Sequence, residues 1–384
     1  MTVPDDLATH GRRSTDAPLL EVRDLRTYFK TDDGIVKAVD GVSFEVSPGQ
    51  TIGVVGESGS GKSVTMMSIL DLNPKPGRIA LRGGAVPGEQ MEAFLQGTKK
   101  HTSVSTGEAL FRGENLLQAS KRRLRALRGS EVSMIFQDPM TSLNPVLSVG
   151  SQLVEAVLLH RDVTAKRARQ LAIEGLKEVG IPRAESRIDD YPHQFSGGMR
   201  QRVMIAMALI NDPALLIADE PTTALDVTTQ AQILGLIREL QREHGTAVIL
   251  ITHDLGVVAE TADEIVVMYA ARVAEQAPVF SLFEQPLHPY TWGLLGSLPR
   301  IDVELERLTQ IVGQPPSLLR PPAGCRFRPR CAFAFDRCRR ETPVALPASF
   351  DGEHLSACFL DEERKLEESR RVVAELGLEA EEAA

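Results

Sequence analysis

Past Pro18 the apolar residues fall into short blocks rather than long runs. Leu19–Leu25 and Val42–Val46 alternate or run apolar as strands do, with the polar turn Thr31-Asp32-Asp33-Gly34 between them. Thr51–Val55 (TIGVV) is a buried-strand run that feeds a glycine-rich loop and then a helix-like stretch, Ser63–Leu70, a strand–loop–helix unit. From Leu147 to Val179 the pattern is helical, as it is over Val203–Ile210 and Gln230–Glu243. Between these lie two apolar blocks of strand length: Ala214–Ala218, which ends in acids, and Ala247–Thr252, which ends at a histidine. Strands alternating with helices predict an α/β fold with a parallel sheet covered on both faces.

Two stretches depart from this rhythm. Residues 82–107 are rich in Gly, Lys, Thr and Ser with little periodicity, and read as a surface insertion. Past about Pro278 prolines, then arginines and cysteines, replace the alternation, so residues 281–360 are expected to form a small second module after a main domain over 19–280. Residues 361–384 are Glu-rich and read as a frayed acidic helix or tail, and residues 1–18 as a disordered lead.

Composition narrows the class. With 42% apolar and 25% charged residues among 384, the chain is ordinary for a globular protein. A net charge of −9 and a pI near 5.5 argue against a nucleic-acid partner held by a broad basic face. No apolar run approaches the roughly 18 residues that cross a bilayer, and the polar first residues lack a secretory signal's apolar segment. The expectation is a cytosolic protein whose membrane role, if any, runs through partners.

The chemistry sits in three segments. Gly56-Glu57-Ser58-Gly59-Ser60-Gly61-Lys62-Ser63 fits the phosphate-loop pattern G-x-x-x-x-G-K-S/T. Its glycines let backbone N–H groups close around phosphates at a helix N-terminus whose dipole favours anions. Lys62 is expected on the β- and γ-phosphates and Ser63 on Mg²⁺. The apolar strand before Asp219 and Glu220 carries acids to its C-terminal end, where ligands of open α/β sheets bind. Asp219 is expected to hold Mg²⁺ through water and Glu220 to polarise the attacking water. The third segment, Phe195-Ser196-Gly197-Gly198-Met199-Arg200-Gln201, opens a helix with a Ser-Gly-Gly core and is likewise built to meet phosphate.

That third segment resembles the signature of the ABC ATPases, with Phe for the usual Leu and Met199 for the usual Gln. The resemblance covers roughly residues 19–280 and implies a P-loop ABC ATPase domain with a parallel-sheet core, a β subdomain and a helical subdomain. It also implies further ATP-site roles. Gln137 falls at the Q-loop glutamine that senses γ-phosphate and metal, Asp226 in the D-loop segment Ala224-Leu225-Asp226, and His253 at the switch histidine. Phe29 falls at the aromatic that stacks on adenine, with Tyr28 the weaker candidate. Each signature segment would face the phosphate loop of a second ATPase subunit, so that two ATPs are sandwiched in a dimer. Glu220, His253 and Gln137 form the implied catalytic set.

Three segments point to one branch. Gln137-Asp-Pro-Met-Thr-Ser-Leu-Asn-Pro, Phe195-Ser-Gly-Gly-Met-Arg-Gln-Arg and His288-Pro-Tyr-Thr-Trp-Gly-Leu-Leu together resemble the oligopeptide/dipeptide importer ATPases. That branch implies two transmembrane permease subunits, a second, paralogous ATPase subunit in a heterodimer rather than a homodimer, and an extracytoplasmic peptide-binding protein. It places the chain peripherally on the cytoplasmic side of the inner membrane. A same-family importer of nickel or another small solute is the alternative, followed by a soluble, non-transport ABC ATPase.

All four cysteines lie late, as Cys325-x5-Cys331-x6-Cys338-x19-Cys358, which in a cytosolic protein suggests a metal site before disulfides. Arg326, Arg328 and Arg330 are expected to offset thiolate charge. In the importer branch the arrangement looks like a 4Fe–4S site, with structural Zn²⁺ and unligated thiols as alternatives; the spacing is looser than the C-x2-C pairs usual for zinc.

Overall fold

The computed structural model describes residues 17–73, 103–137, 142–223, 225–297 and 311–376. Twelve strands are labelled in chain order: β1 (Leu20–Thr31), β2 (Gly34–Val46), β3 (Thr51–Val55), β4 (Ser103–Phe111), β5 (Glu114–Asn115), β6 (Val132–Ile135), β7 (Leu215–Asp219), β8 (Ala247–Ile251), β9 (Glu264–Tyr269), β10 (Arg272–Pro278), β11 (Leu346–Pro347) and β12 (Leu355–Ser356). The α-helices are α1 (Lys62–Ile69), α2 (Lys121–Leu127), α3 (Val149–Leu158), α4 (Ala165–Glu178), α5 (Ala184–Arg187), α6 (Gly197–Leu209), α7 (Val227–His244), α8 (Leu255–Thr261), α9 (Val279–Glu284), α10 (Pro289–Gly296), α11 (Asp336–Arg340) and α12 (Glu362–Leu376).

The chain divides into two compact units, one made of Met1–Glu45, Ile52–Gln118 and Thr252–Ala384, the other of Val46–Thr51 and Ala119–Ile251. In the first, an antiparallel sheet runs β2-β1-β4-β5. β4 pairs β1 from Leu20↔Phe111 to Phe29↔Ser103, across an irregularity between Arg23 and Arg26 where Asp24 takes φ 45°. Ser103–Gly107 therefore belong to a strand and not to a surface insertion, because a long partner strand overrides their polar composition. Residues 82–102 lie outside the described residues. In the same unit β3 pairs β9 in parallel, and β10 returns antiparallel through a two-residue turn, Ala270 and Ala271, both at positive φ.

The C-terminal chain is built onto this unit. β12 pairs β10, and β11 pairs β12. Helix α12 packs on α9 and α10, burying Glu368, Ser369 and Val373. The segment read as a frayed acidic helix or tail is thus a helix to Leu376, docked rather than frayed, with Arg364 neutralising the buried Glu368 at 2.6 Å. Residues 377–384 lie outside the described residues.

The second unit holds three parallel strands, β6-β7-β8. Every residue of β7 and β8 is buried, which is why both read as unbroken apolar runs. The helical stretch expected over Leu147–Val179 is two helices, α3 and α4. Ser148 and Thr164 cap them by accepting from the N–H three residues on, and a fresh cap inside a helical pattern marks a fresh start.

Candidate functional site

In the first unit the phosphate loop follows β3 and leads into α1. Gly56 takes φ 144° and Gly61 φ 100°; a Cβ would lie 2.1 Å from the Met268 carbonyl oxygen at the former and 2.4 Å from that of Ala38 at the latter. Only glycine fits at either position, since both the angle and the space forbid a side chain. At Gly59, φ 77°, a Cβ would meet nothing within 4 Å, so this part of the loop opens outward. Lys62 is buried and folds back, its ammonium donating to the Gly56 carbonyl at 2.6 Å and the Glu57 carbonyl at 3.1 Å. The Ser60 hydroxyl is buried with no hydrogen-bond partner among the described residues. A buried polar atom without a partner costs free energy unless something bound satisfies it. Together with the helix N-terminus, this fits a polyphosphate.

Neighbouring elements fix the loop. The Ala271 N–H donates to the Ser60 carbonyl and the Asp40 N–H to the Ala271 carbonyl, both at 2.8 Å. The Asp40 carboxylate is 3% exposed and meets Arg26 at 3.0 Å, Arg272 at 2.8 Å, Arg326 and the Tyr28 hydroxyl. Burial alone would raise its pKa, but the hydrogen bonds from Tyr28 and Arg272 and the charges of Arg272 and Arg326 outweigh it and hold the carboxyl at about 2. Burial and the bond to Asp40 push Tyr28 up to about 12. Tyr28 is buried with its hydroxyl engaged, whereas Phe29 is half-buried.

In the second unit Asp219 ends β7, 4% exposed, and Glu220 follows at φ 46°. The Glu220 N–H donates to the Ile251 carbonyl at 2.9 Å, while its Oε2 accepts from Gln137 Nε2 at 2.9 Å and Thr223 Oγ1 at 2.8 Å. Gln137 and Glu220, 83 positions apart, are thus brought together. Thr223, which the sequence reading missed, completes the cradle. Ser196 caps α6 by accepting from the Met199 N–H at 3.4 Å; Ser196 and Gly197 are exposed, and Phe195 is buried beneath the Arg187 guanidinium. Asp226 caps α7, accepting from the Thr229 N–H at 2.9 Å and hydroxyl at 2.7 Å, which holds its carboxyl below the usual range. Ala224 and residues 138–141 lie outside the described residues. His253, back in the first unit, is exposed just before α8.

The His288-Pro-Tyr segment is more than a turn. Buried Glu275 accepts from the Leu287 N–H at 2.5 Å, the His288 N–H at 3.1 Å and His354 Nε2 at 2.7 Å. Burial pulls His288 down to about 4, so its neutral ring accepts from the Tyr290 N–H at 3.0 Å and caps α10. Tyr290, Tyr269 and Phe327 form an aromatic cluster with ring centroids 4.6–5.5 Å apart.

All four cysteines line one cavity, walled otherwise mainly by Phe327, Phe333, Phe335 and Phe359. Burial pushes Cys331 up to about 12 and Cys358 to about 11, so these thiols stay protonated at neutral pH unless a metal displaces the proton. Among the described residues no group of three or more Cys, His, Asp or Glu side chains could hold a metal ion. The expectation that the arginines offset thiolate charge is corrected for two of three: Arg326 is committed to Asp40 and Arg330 to Glu57, because a carboxylate outcompetes a protonated thiol for a guanidinium.

Residues 39–223 match the ABC transporter family, and residues 274–338 match the oligopeptide/dipeptide transporter C-terminal region. The oligopeptide transport ATP-binding protein OppD of Salmonella typhimurium is 47% identical, over 90% of this chain and 96% of its own length. The dipeptide transport ATP-binding protein DppD of Bacillus subtilis is 48% identical over the same shares. Among solved structures, the dimeric bacterial ABC transporter cassette MJ0796 aligns with a TM-score of 0.55 at 25% identity, covering 68% of this chain and 98% of that one. CbiO1 of Clostridium perfringens, part of the transporter complex cbiONQ, aligns with a TM-score of 0.53 at 26% identity, covering 70% and 91%.

Proposed function

The chain belongs to the ABC transporter ATPases that carry the oligopeptide/dipeptide transporter C-terminal region, and from that membership we propose that it binds and hydrolyses ATP to power uptake of di- and oligopeptides. The observation that carries the reading is the Glu220 carboxylate at the end of β7, oriented by Gln137 and Thr223. A carboxylate oriented in this way supports the role of polarising the water that attacks the γ-phosphate.

The remaining roles follow from the residues. Gly56, Glu57, Ser58, Gly59, Ser60 and Gly61 form the loop that closes around the phosphates, and Lys62 exchanges its loop carbonyls for the β- and γ-phosphate oxygens. Ser63, Asp219 and Gln137 hold Mg²⁺, which when bound neutralises charge developing on the phosphates. His253 contacts the γ-phosphate and Phe29 stacks on adenine. Exposed Ser196 and Gly197 and half-buried Gly198, with Asp226, serve the ATP of a second, paralogous ATPase subunit. Among the described residues no helix is long and apolar enough to cross a membrane. The path for peptide is therefore assigned to two transmembrane permease subunits, supplied by an extracytoplasmic binding protein, with this chain on the cytoplasmic face.

Glu220→Gln in the assembled transporter should cut turnover by about 100-fold or more while ATP binding persists; substantial residual hydrolysis would overturn the role of Glu220. Peptide-loaded binding protein should stimulate the wild-type ATPase, and no response to any peptide would remove the cargo assignment.

The four thiols are assigned to a 4Fe–4S cluster. The support is the apolar cavity that all four thiols line. Such a cluster, when bound, supplies a cross-link among Cys325, Cys331, Cys338 and Cys358. Anaerobically purified protein should carry iron and acid-labile sulfide with visible absorption that bleaches on reduction; stoichiometric zinc without sulfide would refute the assignment.

A further inference from the structure

The second residue of the phosphate loop is held by residues more than 230 positions away. The Glu57 N–H donates to the Tyr290 hydroxyl at 2.9 Å. Both Glu57 carboxylate oxygens take the Arg330 fork, at 2.6 and 2.9 Å. Arg330 spends its other donors on the Ile311 carbonyl, the Val312 carbonyl and the Tyr269 hydroxyl, at 3.1, 3.1 and 3.4 Å. Its side chain is 4% exposed, whereas that of Glu57 is 27% exposed. The arginine is thus fixed from several sides and the loop residue is the half it anchors. Lysine offers a point charge on a flexible stem and cannot reproduce this five-donor arrangement.

The contact reaches the ligand-binding groups in one step. Lys62 donates to the carbonyl of the same Glu57 whose N–H is tied to Tyr290. Moving residue 57 therefore moves the ammonium and the N–H groups beside it. At the loop's far end the Ala271 N–H holds the Ser60 carbonyl, the Asp40 N–H holds the Ala271 carbonyl, and Arg326 holds Asp40. Arg326 follows Cys325 and Arg330 precedes Cys331, so one short segment of the cysteine region grips the loop at both ends.

We propose that Arg330 and Tyr290 are positioning residues for ATP, acting through Glu57 to hold the phosphate loop in its binding conformation. ATP affinity then depends on the C-terminal region although none of its residues touches the phosphates. The inference rests on the phosphate loop's being the ATP site. A preformed loop lowers the ordering cost of binding substrate and transition state alike, so its loss raises KM and leaves kcat largely intact. A residue that only maintained the fold would instead reduce the active fraction.

The test measures ATP binding and hydrolysis for the full-length chain and its Tyr290→Phe, Arg330→Lys, Glu57→Gln and Glu57→Gln/Arg330→Lys variants. Unfolding is followed in parallel by fluorescence of Trp292, the single tryptophan. Tyr290→Phe and Arg330→Lys should each raise the KM and Kd for ATP about threefold to tenfold, with kcat within about twofold of wild type, and the double variant should be no worse than Glu57→Gln alone. Tyr290→Phe removes one oxygen without a change of shape and keeps the test alive if an arginine variant fails to fold. Unchanged KM and Kd in folded Tyr290→Phe, or additive effects in the double variant, would overturn the proposal. Failure of the wild type to bind ATP would instead remove the nucleotide reading itself.

Discussion

The Asp40 cluster offers a prediction whose size can be worked out. Its carboxyl is 3% exposed and sits against Arg26, Arg272, Arg326 and Tyr28, which hold it down from its usual 3.8 to about 2. Each tenfold change in proton affinity is worth about 1.4 kcal/mol, so the lowered value represents about 2 kcal/mol of folding stability. The sign follows from which state takes the proton first. As pH falls the unfolded chain protonates near 4 while the folded carboxylate resists to about 2, so the contribution is complete above pH 4 and drains away between 4 and 2. Asp40→Asn keeps the shape and removes the charge, stranding Arg326, whose side chain is 6% exposed. Breaking a buried pair in this way costs about 3–5 kcal/mol at neutral pH. Urea unfolding read by Trp292 fluorescence, run on both proteins from pH 7 to 2, should show a gap of that size above pH 4 that narrows by about 2 kcal/mol on acidification. A gap that stays constant with pH, or is below about 1 kcal/mol at pH 7, would show that the carboxylate is not the keystone of this cluster.

The two adjacent aromatics of β1 should separate cleanly. Phe29→Ala is expected to raise the KM for ATP about fivefold or more through lost stacking, whereas Tyr28→Phe should leave KM alone and cost about 1.5–3 kcal/mol of stability through the lost bond to Asp40; the reverse pattern in ATP titrations and urea melts would exchange their roles. His354→Ala removes the ring that meets fully buried Glu275 and should cost about 3–5 kcal/mol, read as a lower urea midpoint by Trp292 fluorescence; a midpoint within error of wild type would refute a stabilising pair.

The chemistry legible in the sequence is the chemistry that must be contiguous. A loop that wraps phosphate needs glycines at fixed steps, so Gly56–Ser63 announce themselves, and the Gly56 and Gly61 geometry explains why no other residue serves there. The acids after β7 are legible for the same reason, since an apolar block of five buried residues ending in Asp-Glu has few other uses. Pairs made across the fold leave no local trace. Glu57 and Arg330 are 273 positions apart, and Asp40 and Arg326 are 286 apart, so both arginines read as counter-charges for the neighbouring cysteine thiolates. Composition misled in two places. The charges of α12 hid the docking of a helix that buries Glu368 against Arg364, and the polar Ser103–Gly107 hid the start of β4, which takes its conformation from pairing with β1. Tyr290 stood in plain view as part of a family label, but its hydroxyl's partner was not visible until the loop was placed beside it.

The Asp40 cluster also bears on how the chain is made. Arg26 is already present when Asp40 leaves the ribosome, but Arg272 and Arg326 follow 232 and 286 residues later. At about 5–20 residues per second, the wait for Arg326 is about 15–60 s. During that time the carboxylate lacks two of its three guanidinium partners, so the N-terminal strands cannot reach their final stability. The last fifth of the polypeptide thus acts as the closing step of the first unit's assembly, and a transcript truncated before residue 326 should yield a protein that aggregates or is degraded instead of a shorter working ATPase.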